Sequence, residues 1–204
     1  LPIVADVTKT EDIQKVVKTT IEKFGNVHIL VNNAGGPPVA SFAELTDDMW
    51  MNSVSLTMMS LIRMTREVLP HMLKNKWGRI INITSLTAKQ PINDLIISST
   101  LRPGILGLAK ILSNQYSKFG ILVNNVCPGH YLTKRQEEII KKRSTERNIT
   151  AEEYIQQHSN EIPIGRFGKP EELANMIVFL CSEKASYVTG STISVDGGLV
   201  KGLF

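Results

Sequence analysis

Four short, almost continuously apolar runs alternate along this chain with helix-length amphipathic segments. That alternation limits the fold more than any other feature. The runs are residues 27–31 (VHILV), 78–84 (GRIINIT), 121–127 (ILVNNVC) and 192–195 (TISV). Each is brief and rich in β-branched residues, which suits strands covered on both faces. Residues 1–5 (LPIVA) read as a fifth strand, which Pro2 restricts to an edge or a strand start. Residues 10–24 put Ile13, Val16, Val17, Ile21 and Phe24 on one helical face, with acids in the first turn and Gly25 as a stop. Residues 46–75 open with a Thr cap followed by acids, and Pro70 predicts a kink or an end to the regular part. Residues 105–119, closed by Gly120, and 169–180, opened by Lys-Pro-Glu-Glu, complete the helices. Such alternation predicts an α/β fold, a doubly wound parallel sheet with helices on both faces and right-handed crossovers. In these sheets ligands bind beyond the carboxyl ends of the strands.

The 204 residues suit one domain. No apolar run approaches the roughly 18 residues of a membrane helix, so no membrane partner is expected. The excess of four positive charges is spread along the chain, whereas a nucleic-acid footprint needs a concentrated stripe. Cys127 and Cys181 are too few and too far apart for a disulfide framework, and the four histidines lack metal-ligand spacing. No secretory signal is visible, so a cytoplasmic location is expected.

Each run ends in residues suited to holding a ligand. Asn32-Asn33-Ala34-Gly35-Gly36 follows the first, where small side chains let a flat molecule approach the backbone. Thr84-Ser85 ends the second, Cys127-Pro128-Gly129 the third, and Asp196-Gly197-Gly198 follows the fourth. Any one of these reads equally as an ordinary turn; their joint placement at one sheet edge is the signal.

The segments NNAG (32–35), GRIINITS (78–85), LVNNVCPG (122–129), RFGKPEELA (166–174) and YVTGSTISVDGG (187–198) resemble the short-chain dehydrogenase/reductase family, most nearly its 3-oxoacyl-carrier-protein-reductase-like members. The resemblance runs nearly end to end. It implies a Rossmann-like sheet, NAD or NADP as cofactor, and a homo-oligomer, dimer or tetramer. The family opens with a strand and a TGxxxGxG turn, which this sequence lacks. Two strand–helix units, roughly 50–60 residues if a βαβ unit is about 30, are therefore missing from the front. In the Rossmann order those strands lie at the sheet centre. The chain is accordingly expected to be the C-terminal three-quarters of one such domain, spanning 1–204 with a lid insert at 130–165.

The resemblance also distributes roles. Cofactor contacts fall on Asp6 and Val7 beside the adenine, and on Asn32, Ala34, Gly35, Arg102, Pro128, Gly129 and Thr133. The family's reaction uses a phenol as proton donor, a Lys that lowers its pKa, a Ser that polarises the carbonyl, and an Asn that orders a relay water. Here the Ser is Ser85. Ser98 stands for the Tyr, Arg102 for the Lys, and Ser55 for the Asn, with Asn52 one turn earlier. A serine hydroxyl is a far weaker acid than a phenol near pKa 10, and Arg102 cannot lose a proton. Three substitutes are conceivable: Tyr131, Lys89, or Ser98 with Arg102 as an oxyanion pair. Each has a structural reading too, as packing, a solvated cation and a helix cap. Beside Tyr131, His130 reads as a turn residue.

The lid carries Lys134-Arg135 and Lys141-Lys142-Arg143 among acids, a charged helix face that could also meet an acidic carrier or a coenzyme phosphate. The expected function is NAD(P)-dependent oxidoreduction of a carbonyl or alcohol, with a small-molecule or acyl-thioester substrate, at an atypical active site. The alternatives are a catalytically silent nucleotide-binding or partner subunit, and a fragment without activity of its own.

Overall fold

A computed structural model describes residues 1–203, the Arg135 side chain excepted. Helix α1 is Thr10–Phe24 and buries Ile13 and Val17. It stops at Gly25, whose φ of 81° is left-handed and whose N–H returns to Ile21 O. Strand β1 is Ile29–Asn32. Helix α2 (Asp47–Ser53) is capped by Thr46, whose hydroxyl accepts from Met49 N. A π-helical segment, Val54–Met59, joins it to α3 (Ser60–Asn75). Pro70 lies inside α3 without ending it, and the helix closes at Lys76 in the left-handed region.

After β2 (Gly78–Ile83) comes α4 (Ile96–Tyr116), which begins nine residues before its expected start. Pro103-Gly104 disfavours a helix locally. The buried face of Ile97, Ser98, Leu101, Arg102, Ile105 and Ala109, at helical spacing, carries the helix through it. Ser98 is thus the third residue of α4 and buried, not a cap. Strand β3 is Ile121–Pro128. The segment expected to form a lid insert is built from two helices, α5 (Lys134–Glu146) and α6 (Ala151–Glu161). Helix α7 (Pro170–Cys181) and β4 (Thr192–Val195) complete the order.

The four strands are parallel, in the order β1-β2-β3-β4. Side chains alternate between two clusters. Ile80, Ile121 and Val123 meet α1, α3 and α4 on one face. Ile81 and Val126 meet Leu180 of α7 on the other. The lid has a third cluster of its own, Ile140, Tyr154, Ile162 and Phe167.

Residues 1–5 form no strand, because nothing among the described residues pairs with them. Asp6 instead closes a turn, its carboxylate accepting from Thr8 N (2.9 Å) and Thr8 Oγ1 (2.7 Å). The outer edge of β1 is likewise unpaired among the described residues.

The register sets Asn32, Asn82, Asn125 and Thr192 in one row. Their side chains form a hydrogen-bonded ladder across all four strands. Asn32 Nδ2 donates to Asn82 Oδ1 (2.9 Å), Asn82 Nδ2 to Asn125 Oδ1 (3.0 Å), and Asn125 Nδ2 to Thr192 Oγ1 (3.2 Å). The carboxyl ends of the strands are therefore fixed at one level.

Candidate active site

Beyond that level lies a cavity of about 480 Å³, lined from the ends of β1, β2 and β3, from α4 and from the lid. A smaller cavity of about 220 Å³ adjoins it, and Asn33, Ala34, Ile83 and Arg102 line both. Ser85, Ser98, Gly35, Pro128, Gly129 and Thr133 line the larger, and Asn32 and Val7 the smaller. Most residues anticipated from the sequence are thus brought together.

Each is held by local chemistry. Ser85 caps the short 3₁₀ turn Leu86–Ala88, its Oγ accepting from Thr87 N at 3.1 Å. Ser98 and Arg102 stand one turn apart on the buried face of α4, and Arg102 Nε donates to Ser98 Oγ at 3.2 Å. Ser98 Oγ also meets Thr87 Oγ1 at 2.8 Å, and Arg102 Nη1 donates to Ile83 O at 3.2 Å. The guanidinium therefore spans from α4 to the end of β2. Thr84 donates to Val126 O (3.0 Å) and lies 3.1 Å from Cys127 Sγ, while burial pushes that thiol's pKa up and leaves it an inert neighbour. A side chain on Gly129 would press its Cβ to 2.7 Å from Asp196 Cα, so only glycine lets the ends of β3 and β4 approach so closely.

Other expectations are corrected. Ser55 lines neither cavity. Two residues further on, Thr57 lies on the opposite side of the helix, in the buried row Ser53, Thr57, Ser60 and Leu61. Thr57 lines the smaller cavity, and its hydroxyl is buried without a hydrogen-bond partner. The i, i+4, i+7, i+8 spacing was the signal in the sequence that would have found it. Ser55 Oγ faces Arg63 Nη1 at 3.5 Å instead. Asp6 is exposed and lines neither cavity, and Thr8 holds its carboxyl below the usual range. Lys89 lines neither.

Tyr131 lines the larger cavity, but its hydroxyl is committed to Val195 O at 2.7 Å, and burial pushes its pKa up to about 12. It is a poor proton donor. Thr133 caps α5, accepting from Gln136 N at 3.3 Å. The lid's basic run divides: Lys142 lies 3.8 Å from Glu146 in an exposed pair, whereas Arg143 turns inward. Arg143 donates to Tyr154 Oη (3.1 Å) and pairs with Asp94, tying α5 to the segment before α4. His130, read from the sequence as a turn residue, also lines the larger cavity.

The donor set fits the nicotinamide half of a dinucleotide. Ala34-Gly35-Gly36 keeps the floor low, a guanidinium and an Asn amide stand where the two cavities meet, and the Thr57 hydroxyl, without a hydrogen-bond partner among the described residues, faces the smaller one. A riboside presents hydroxyls and an amide to such groups. No helix among the described residues is long and apolar enough to cross a membrane.

A family model described as enoyl-(acyl carrier protein) reductase matches residues 1–200. The 3-oxoacyl-[acyl-carrier-protein] reductase of Thermotoga maritima is 32% identical over 199 residues, spanning 98% of this chain and 76% of the relative. The granaticin polyketide synthase putative ketoacyl reductase 1 of Streptomyces violaceoruber is 35% identical over 198 residues, spanning 96% and 73%. Among solved structures, an L-sorbose reductase from Gluconobacter frateurii complexed with NADPH and L-sorbose superposes with a TM-score of 0.94 at 35% identity, covering 100% of this chain and 78% of that one. A single-substitution variant of actinorhodin polyketide ketoreductase with NADPH gives 0.92 at 34%, covering 97% and 77%. The chain thus spans about three-quarters of the length of these relatives.

Proposed function

The chain belongs to the short-chain dehydrogenase/reductase family, in its 3-oxoacyl-carrier-protein-reductase-like branch, and from that membership we propose that it reduces a carbonyl, with a 3-oxoacyl thioester or a small ketone as substrate, through an atypical active site. Its cofactor is NAD or NADP. The observation that carries the proposal is the convergence of Ser85, Ser98 and Arg102, from two elements, on one cavity at the sheet edge.

The bound cofactor supplies a hydride. Arg102, Asn33, Ala34 and Gly35 would hold it, with Thr57 toward the smaller cavity. Ser85 donates a hydrogen bond to the substrate oxygen. Ser98, polarised by the Arg102 guanidinium, provides a second contact to that oxygen. Arg102 remains charged throughout and stabilises negative charge developing there. This is electrostatic assistance without proton transfer from Ser98, whose hydroxyl stays protonated in this pH range. Ile92, Leu95 and Ile139 give the outer cavity an apolar lining suited to an acyl chain.

One observation favours a second reading. Ser98 Oγ is already engaged by Thr87 and Arg102, as in a protein that binds the dinucleotide without turning over. Titrating the intact protein with NADPH, then assaying carbonyl and 3-oxoacyl-thioester substrates, separates the two. Binding with turnover supports the reductase, and binding alone supports the silent protein. Absence of binding overturns both.

The domain extent, with its lid at 130–165, belongs to the same proposal. So does a cytoplasmic homo-oligomer. Unpaired Cys127 and Cys181 suit a reducing compartment, and exposed Met51, Ile111, Val178 and Tyr187 suit subunit contacts.

A further inference from the structure

We infer that His130 is the proton-exchanging residue of this site, giving a proton to the carbonyl oxygen in reduction and taking it from the alcohol in oxidation. The inference rests on the reductase reading and deepens it.

The larger cavity needs a proton source that its other groups do not supply. Tyr131 gives its hydroxyl proton to Val195 O. The Ser98 hydroxyl is held between Thr87 and Arg102. Arg102 and Arg143 do not titrate in any working range. His130 is the remaining titratable side chain among the described residues that line the cavity, and its ring nitrogens make no hydrogen bond with any of them.

Topology brings it to the cavity that Ser85 also lines. Strands β2 and β3 pair at Ile83 and Val126, and Thr84 N donates to Val126 O at 2.8 Å. Two residues past Ile83 stands Ser85, and four past Val126 stands His130, both opening on the same cavity. The ring is oriented by packing. It stacks on Phe167 at 5.3 Å and 24°, and meets the edge of His158 at 6.3 Å.

Its charged surroundings are Arg143 on α5 and His158 and Glu161 on α6. Burial first, then His158 and Arg143, hold the imidazole below its ordinary pKa of 6.5, while Glu161 opposes them. At neutral pH the ring is therefore mostly a base. In reduction the imidazolium proton passes to the carbonyl oxygen while the carbonyl carbon receives the hydride. The products are the alcohol and a neutral ring, which recovers its proton from water.

The test compares the intact wild-type protein with His130→Gln and His130→Ala across pH. Wild-type kcat for ketone reduction should rise as pH falls below about 6.5, and His130→Gln should lose about 10²-fold and that limb of the profile. Added imidazole should restore His130→Ala, which a packing role would not allow. NMR titration of the wild-type His130 ring should move when a ketone or secondary alcohol substrate is added. A folded His130→Gln that keeps both kcat and the pH limb overturns the inference and leaves the reductase reading standing. If the variants misfold, a His130 signal indifferent to substrate overturns it. No turnover by the wild type with any carbonyl or alcohol overturns the reading and the inference together.

Discussion

Arg102 Nε lies 3.2 Å from Ser98 Oγ, one turn apart on the buried face of α4, and the same guanidinium reaches Ile83 O at the end of β2. A permanent cation is thus bonded to a hydroxyl at the rim of the cavity. Such a pair can polarise an oxygen but does not release a proton to one.

Replacing the pair restores a phenol and a lysine. The double variant Ser98→Tyr with Arg102→Lys should raise kcat for ketone reduction by about 10²-fold, the lower end of what a positioned acid contributes. The gain should be largest near about pH 8, where an imidazole below its ordinary pKa is unprotonated. Steady-state cofactor oxidation measures it, and no gain would mean that the pocket no longer accepts a phenol at this position.

Tyr131 is predicted to matter for stability rather than turnover. Tyr131→Phe removes one of the two donors to Val195 O, which still accepts from Gly129 N at 3.1 Å, and should cost about 0.5–1.5 kcal/mol in urea unfolding, with kcat nearly unchanged. Its phenol titrates at about 12 when folded and near 10 when unfolded. Between those values the unfolded chain has released a proton that the native one keeps. Wild-type stability should therefore be complete below about pH 10 and fall as pH rises toward about 12, and Tyr131→Phe should lack that fall.

Glu172 gives the opposite dependence. Its carboxylate accepts from Arg166 through both oxygens (2.7 and 2.8 Å) and from Lys169 N, which lowers its pKa to about 2. Because the folded value lies below the ordinary 4.5, the stabilisation is full above that pH and is lost as pH falls toward 2. Glu172→Gln should flatten Tm against pH in this window. The pair is exposed, so added salt should shrink the difference.

The side-chain ladder is open to a sharper test. Asn82 and Asn125 are both about 1% exposed. Asn82→Ala leaves the buried Asn125 Oδ1 unpaired, at about 1–3 kcal/mol, and releases the half-buried Asn32 Nδ2, which water can reach. Thr192→Val leaves only Asn125 Nδ2 unpaired and keeps the side-chain volume, so chemical denaturation should rank it below Asn82→Ala in cost.

The regular elements were legible where one local pattern decides them. Helix 10–24 follows from its apolar face and Gly25, and strand 192–195 from its β-branched run. Residues 1–5 look like a strand, but a strand exists only against a partner, and none of the described residues offers one. The first nine residues of α4 were hidden by Pro103-Gly104, whose local preference yields to packing against the sheet. Within the site, the positions of Ser85, Ser98 and Arg102 came from the family resemblance. Thr57 was legible in the i, i+4, i+7, i+8 spacing of its buried row, whereas the resemblance pointed two residues earlier, to Ser55. The commitment of Tyr131 to Val195 O and the opening of His130 onto the cavity involve residues far apart in sequence, and only the folded chain shows them.

The apolar cluster under the lid shares no residue with those under the sheet. This separates two kinds of evolutionary change. Substitutions at Gln136 or Ile139 reshape the mouth of the pocket while leaving the clusters under the sheet, and the strand ends beneath, as they are. A lineage carrying this scaffold can therefore drift from one substrate to another through its roof alone, keeping its grip on the dinucleotide throughout.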